Sequence, residues 1–232
     1  MPGTRSAQPR VTCKPLTPER WKDLERLFGP RGACAGCWCM WFRLAARDFA
    51  ARKGAGNRRA LKRLVDAGEP TGLLLYAGAE PVGWCALAPR AVYHRLENSR
   101  VLAPVDDRPA WSVPCFFIAR GWRRRGLTSF LLEQAKREAA RRGAELLEGY
   151  PTETRGAMAD AFLYIGAASA FRNAGFREAA RRSPIRPIMR CELRAGRSRP
   201  RGAGAGAAPA RRSASARGNA KRARPARRSA RA

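Results

Sequence analysis

Acidic side chains are scarce in this chain: 18 Asp and Glu stand against 47 Lys and Arg, for a net charge of +29. Long apolar runs are missing too. No stretch reaches the about 18 residues that a membrane-spanning helix needs. The first ten residues are polar and lack an apolar centre, so they are expected to be a flexible terminus and not a secretory signal. Histidine occurs once, as His94, in a polar stretch that reads as a solvated loop. The seven cysteines are odd in number and are not spaced like a small disulfide scaffold. Reduced thiols and a cytoplasmic location are therefore expected. Cys34, Cys37 and Cys39 offer three soft ligands, and Cys13, Cys85, Cys115 or Cys191 could supply a fourth for zinc. The second CxxC that makes such a site convincing is missing, and no metal is expected. Neither helix-turn-helix nor finger spacing is present, and the arginines lack the interleaved aromatics of a single-strand binder.

The surplus of positive charge is unevenly spread. From Ala195 to the end there are 12 Lys and Arg, no acidic residue and no aromatic. Ala, Arg, Gly, Pro and Ser supply almost all of that tail, which cannot bury enough surface to offset its ordering entropy. A disordered basic tail over 195–232 is expected, able to contact nucleic acid or another polyanion through charge alone. What remains, residues 11–194, is long enough for one domain, and 45% hydrophobic content allows a core.

Within that domain the pattern predicts a short strand over 11–15 and a helix opened by Thr17 and Pro18, with Trp21, Leu24, Leu27 and Phe28 on one face. Gly29 to Gly32 ends it, and a Cys/Trp-rich stretch follows over 34–41. Helical segments are predicted within 41–53 and over 57–67, the latter capped by Asn57 and closed by Gly68. Residues 71–77 and 81–88 form a predicted hairpin about Gly78, and 89–110 reads as irregular loop. A short helix over 167–174 ends at Gly175, and strands are predicted over 176–180 and 188–193.

Residues 111–150 carry the most information. They read as strand (113–118), glycine turn, amphipathic helix and strand (144–150), with Leu127, Phe130, Leu131, Gln134, Ala135 and Ala139 at helical spacing and Gly143 as the stop. The turn is Arg123-Arg124-Arg125-Gly126-Leu127-Thr128. A glycine there lets the backbone turn sharply, and the free N–H groups of the turn and first helical residues, through Ser129, meet the positive end of the helix dipole. With three arginines beside it, the turn suits a phosphate or pyrophosphate.

This turn resembles the R/Q-x-x-G-x-G/A loop of the GNAT acetyltransferase superfamily, with Thr128 where the family prefers Gly or Ala. Phe171-Arg172-Asn173-Ala174-Gly175-Phe176 is similar to the family's Y-x-x-x-G-F element, and the predicted element order over 11–194 is that of the family's fold. The resemblance implies an α/β (α+β) domain with a mixed central sheet of about six or seven strands flanked by helices. It implies an enzyme that moves an acetyl group from acetyl-CoA to a primary amine of a small molecule or protein by direct transfer, and homodimers are common in the family. It places the pyrophosphate on Arg123, Arg124, Arg125, Gly126, Leu127, Thr128 and Ser129, and the pantetheine arm along Phe117, Ile118 and Ala119. It places Cys37, Trp38, Cys39 and Trp41 at the acceptor pocket. Many relatives carry a proton-donating Tyr where this chain has Phe171; Tyr164 or Tyr150 could replace it, or water could protonate the thiolate. Glu148 and Glu153 are the candidate bases, Glu148 the more interesting because mid-strand charge is costly if buried. Two other classes stay open: a basic polyanion-binding protein, and a CoA-binding domain without turnover.

Overall fold

The computed structural model describes residues 10–153 and 164–193. The expected tail over 195–232 and residues 1–9 of the expected flexible terminus lie outside them. Among the described residues nine strands form two sheets. In the first, β1 (Val11–Pro15), β2 (Gly72–Ala77), β3 (Glu80–Ala86) and β6 (Phe116–Ile118) lie in the order β1-β2-β3-β6, all antiparallel. In the second, β4 (Ala88–Pro89), β5 (Trp111–Val113), β7 (Leu146–Gly149), β9 (Pro187–Glu192) and β8 (Arg177–Arg181) follow in the order β4-β5-β7-β9-β8, with β5 and β7 parallel.

β2 reads Gly-Leu-Leu-Leu-Tyr-Ala and is buried along its whole length. A strand covered on both faces needs no polar alternation. Successive side chains point to opposite faces, so Leu73 and Leu75 meet Leu131, Leu132 and Ala135 of α5 (Leu127–Arg141). Leu74 turns the other way, into the cluster that holds Leu24 of α1 (Trp21–Phe28) and Leu61 of α3 (Ala55–Asp66). Between them lies the short α2 (Ala46–Ala51). α5 stops as its composition predicts: Gly143 takes φ +84, and the Ala144 N–H reaches the Ala139 carbonyl at 3.0 Å.

Three expectations need correction. The strand predicted over 113–118 is two strands that belong to different sheets. Pro114 has no N–H and cannot continue a central ladder, so β5 stays beside β7 while β6 turns to β3. The stretch 89–110 is not a solvated loop. It holds β4, a 3₁₀ turn (Arg90–Val92) and α4 (His94–Glu97), and buries Arg90, Tyr93 and Leu96, with His94 exposed. Asn57 does not cap α3, which begins two residues earlier after Gly54. It is buried, and its Nδ2 donates to the Gly36 carbonyl at 3.2 Å. Helix in 41–53 is confined to α2. The last helix, α6 (Ala168–Asn173), and strands β8 and β9 fall within a residue of expectation.

Candidate functional site

The glycine turn sits where β6 hands over to α5. A 3₁₀ turn (Arg120–Trp122) leads into Arg123, Arg124 takes a left-handed φ of +57, and Gly126 takes φ +74 immediately before Leu127. The first helical bond after it runs from the Phe130 N–H to the Gly126 carbonyl. The N–H groups of Leu127, Thr128 and Ser129 therefore have no partner within the helix. A Cβ built on Gly126 would meet nothing within 4 Å, so open space lies directly beside these donors. The buried Leu127 anchors the turn, while Arg124, Arg125 and Gly126 are exposed. The three arginines divide in their roles. Arg123 turns inward, its Nε donating to the Ile118 carbonyl at 3.1 Å. The Arg125 guanidinium lies 4.8 Å from the Trp122 ring centroid, and this contact holds its charge beside the turn.

β6 is the edge of its sheet, and β7 does not pair with it. Hydrogen bonds from Ala86 N to Cys115 O and from Ala119 N to Val82 O fix which backbone groups face β3. Alternation then turns Phe117 toward β3 along with them and leaves the N–H and C=O of Phe116 and Ile118 pointing away. Of the three backbone positions named from the sequence, Ile118 alone presents the open edge. The Ala119 carbonyl accepts from Trp122 N at 2.9 Å.

The Cys/Trp segment is mostly interior. Trp38 is buried, stacked on Trp21 with centroids 6.0 Å apart and edge-on to Phe28. A Cβ on Gly32 would come 2.1 Å from its Nε1, so only glycine fits beneath that ring. Phe28 in turn packs on Phe117 at 5.5 Å, which joins this aromatic group to β6. Cys39 is buried, Cys37 is half-buried, and Trp41 lies between Phe49 and the Arg95 guanidinium, 3.8 Å from its ring centroid. On the outer side of Trp38 a surface groove of about 490 Å³ is lined by Glu25, Arg26, Gly29, Pro30 and Arg58.

Glu148 is buried in the middle of β7 with both oxygens engaged. Arg190 Nε donates to Oε1 at 2.7 Å, and the Tyr150 hydroxyl donates to Oε2 at 2.7 Å. Arg90 approaches the same carboxylate at 3.6 Å and donates to the Tyr150 hydroxyl, which also meets Ser112 Oγ. The buried charge is thus matched by two arginines, as burial requires, and Glu148 serves as a cross-sheet anchor. Glu153 is also occupied: hydrogen bonds from Arg172 and Arg181 hold its pKa down to about 2.

Phe171 is fully buried, edge-on to Phe116 and Phe176, and Gly149 leaves room for it: a Cβ there would sit 1.9 Å from the ring. The position is a core position here. Tyr164 is half-buried, and burial first, then the neighbouring Cys115 and Cys34, raise its pKa against the opposing charge of Arg186 and Arg95. Tyr164 packs against the core cluster that includes Cys115, the residue in the break between β5 and β6. Among the described residues no group of three or more His, Cys, Asp or Glu is placed to hold a metal ion, and no helix is long and apolar enough to cross a membrane. Sequence reasoning missed Arg90, Ser112 and Arg190. A basic residue in β9 opposite the lone acid in β7 was the available signal.

A strand broken beside an open edge, followed by a left-handed glycine and a helix with free N–H groups, is the setting in which the comparisons fall. The family model described as Acetyltransferase (GNAT) family matches residues 38–159. The chain belongs to that family, and its mixed sheets flanked by helices are the family's fold. Among solved structures it is similar to the PaiA N-acetyltransferase from Thermoplasma acidophilum in complex with coenzyme A, at 12% identity over 79% of this chain and 99% of that one, TM-score 0.46. It is similar to the yncA structure from Salmonella typhimurium with its cofactor acetyl-CoA, at 12% identity over 81% and 96%, TM-score 0.47. It is also similar to an N-acetyltransferase from Staphylococcus aureus Mu50, at 10% identity over 80% and 99%, TM-score 0.46. No curated protein matches the chain.

Proposed function

We propose that this chain transfers an acetyl group from acetyl-CoA directly to a primary amine of a small molecule or protein. The supporting observation is the Gly126 turn. It sets three unpartnered N–H groups of α5 and two exposed arginines beside open space, next to the free edge of β6. Those donors suit a pyrophosphate, and the outward N–H groups of Phe116 and Ile118 suit the carbonyls of a pantetheine arm. Bound there, acetyl-CoA supplies an activated thioester. Trp38, Cys37 and Trp41 border the approach of the acceptor, with Cys39 beneath them. In the transfer a C–N bond forms, the C–S bond breaks and the thiolate takes up a proton. Tyr164 is assigned as its donor, because a phenol is protonated at neutral pH and this one packs on the cluster that holds Cys115. Glu148 holds Tyr150, Arg90 and Arg190 in place and is a positioning residue. The ammonium loses one proton to water before attack, and the proton that the nitrogen sheds as the amide forms restores the Tyr164 phenol.

The test is calorimetry of the full chain with acetyl-CoA, with CoA and ADP as comparators, in wild type and Gly126→Glu. The variant adds bulk and negative charge where nothing now stands. It is expected to weaken CoA binding by about a hundredfold through charge and lost donors, with an unchanged circular dichroism spectrum. Equal affinity in the two proteins removes the turn from the donor site. No binding to wild type at millimolar ligand removes the transferase reading and favours a polyanion binder.

A further inference from the structure

Four non-glycine residues between 33 and 39 hold left-handed backbone: Ala33, Ala35, Trp38 and Cys39, with φ between +41 and +67. Each such residue costs about 1–2 kcal/mol, so the surrounding packing must hold the segment in this shape. One result of the shape is that Cys39 points inward. Its Sγ lies 3.0 Å from Sγ of Cys115, a residue 76 positions away in the break between β5 and β6. Both thiols are buried and free. Cys37 stands two residues earlier on the same turn, half-exposed, with its thiol donating to the Gly32 carbonyl at 3.7 Å. Three thiols thus run from the surface to the strand break, and no bond made or broken in acetyl transfer involves their sulfur atoms.

We propose that Cys37, Cys39 and Cys115 form a thiol relay that a small hydroperoxide converts into a Cys39–Cys115 disulfide. Cys37 is the entry because it alone of the three reaches solvent. The neighbouring Cys39 thiol lowers its pKa to about 6, whereas burial pushes the Cys39 thiol up. In the first step the Cys37 thiolate attacks hydrogen peroxide. An S–O bond forms, the O–O bond breaks, and hydroxide leaves and takes up a proton to become water. In the second step the Cys39 sulfur attacks Cys37, a second water departs with the thiol proton, and a Cys37–Cys39 bridge results. In the third step Cys115 gives up its proton and attacks Cys39, releasing Cys37 as thiolate. The less basic thiolate is the better leaving group, which sets the direction of that exchange. Two thiols are oxidised, one peroxide is reduced, and two waters form. The bridge ties the 32–41 segment to the strand break whether or not the chain transfers acetyl groups.

The experiment treats the reduced full chain with one equivalent of hydrogen peroxide, alkylates the remaining thiols in denaturant and maps the peptides by mass spectrometry. Fragmentation of the linked peptide locates the bridge, since Cys37 and Cys39 are separated only by Trp38. The expected product joins Cys39 to Cys115 with Cys37 alkylated. C115S is expected to stop at the Cys37–Cys39 bridge, and C37S to slow bridging by about tenfold or more, because a buried protonated thiol reacts poorly. Wild-type protein in which Cys39 and Cys115 are both alkylated after the peroxide is consumed overturns the proposal without reliance on any variant. An unchanged rate in C37S overturns the relay.

Discussion

Tyr164 and Cys37 depart from their ordinary pKa values in opposite directions, the tyrosine upward and the thiol downward, and each difference can be measured. Tyr164 is half-buried, and desolvation raises its pKa, so it holds its proton across the neutral range. If it protonates the departing thiolate, Tyr164→Phe lowers kcat by about a hundredfold, in line with general acid catalysis, and leaves KM for acetyl-CoA unchanged. An unchanged kcat returns that proton to water. Cys37 moves the other way, because the neighbouring Cys39 thiol stabilises its thiolate more than burial opposes it. Its alkylation by iodoacetamide, followed peptide by peptide in the native protein, is expected to rise through a midpoint near pH 6 and level off above it. A midpoint near the ordinary thiol value of about 8.5 would show that Cys39 does not stabilise the thiolate. Cys37 was recognisable in the sequence as one of a cluster. Its partner Cys115 was not, because a contact spanning 76 positions depends on where β6 lies.

At the scale of elements, one carboxylate ties three pieces of chain together. Glu148 of β7 meets Arg190 of β9 and Arg90 of the turn after β4, and Arg90 also donates to the carbonyls of Leu96 and Leu102. Glu148→Gln leaves two arginines short of their counter-charge in a buried setting. It is expected to cost about 3 kcal/mol in urea unfolding, the scale for breaking a buried pair from one side. Stability within 1 kcal/mol of wild type would instead mean that the amide satisfies both arginines, each such bond being worth about that much. The helix α5 and the hairpin β2–β3 were legible from periodicity and from Gly78 and Gly143. The division of 111–118 was legible only through Pro114, whose meaning depends on a central position in the sheet. The order within 89–110 was hidden for a related reason. Arg90 reads as a solvated charge until Tyr150 and two carbonyls close around it.

For the whole molecule, charge is divided between two tasks. The described residues place Arg124 and Arg125 at one helix start, whereas 12 cations lie beyond residue 194 in a segment without acids. Deleting 195–232 is expected to weaken binding to heparin or DNA and to flatten its salt dependence, since each released counterion contributes a slope of about 0.9. Acetyl-CoA affinity at high salt should be the same with and without the tail. A drop in that affinity would place part of the donor site in the tail.

The sequence by itself determined what depends on neighbours along the chain: the helix of 127–141, its glycine boundaries, the hairpin and the phosphate-suited turn. It also determined the family, because the turn and the spacing of its flanking elements are local. Tertiary structure decided what depends on distant partners. It showed that Phe171 fills the space over Gly149, that Glu148 is an anchor between two arginines, and that Ile118 rather than Phe117 presents the open edge. It also showed that Cys39 meets Cys115. Periodicity reports which face of an element is covered. It carries no record of which distant side chain does the covering, and in each of these cases that partner sets the chemistry.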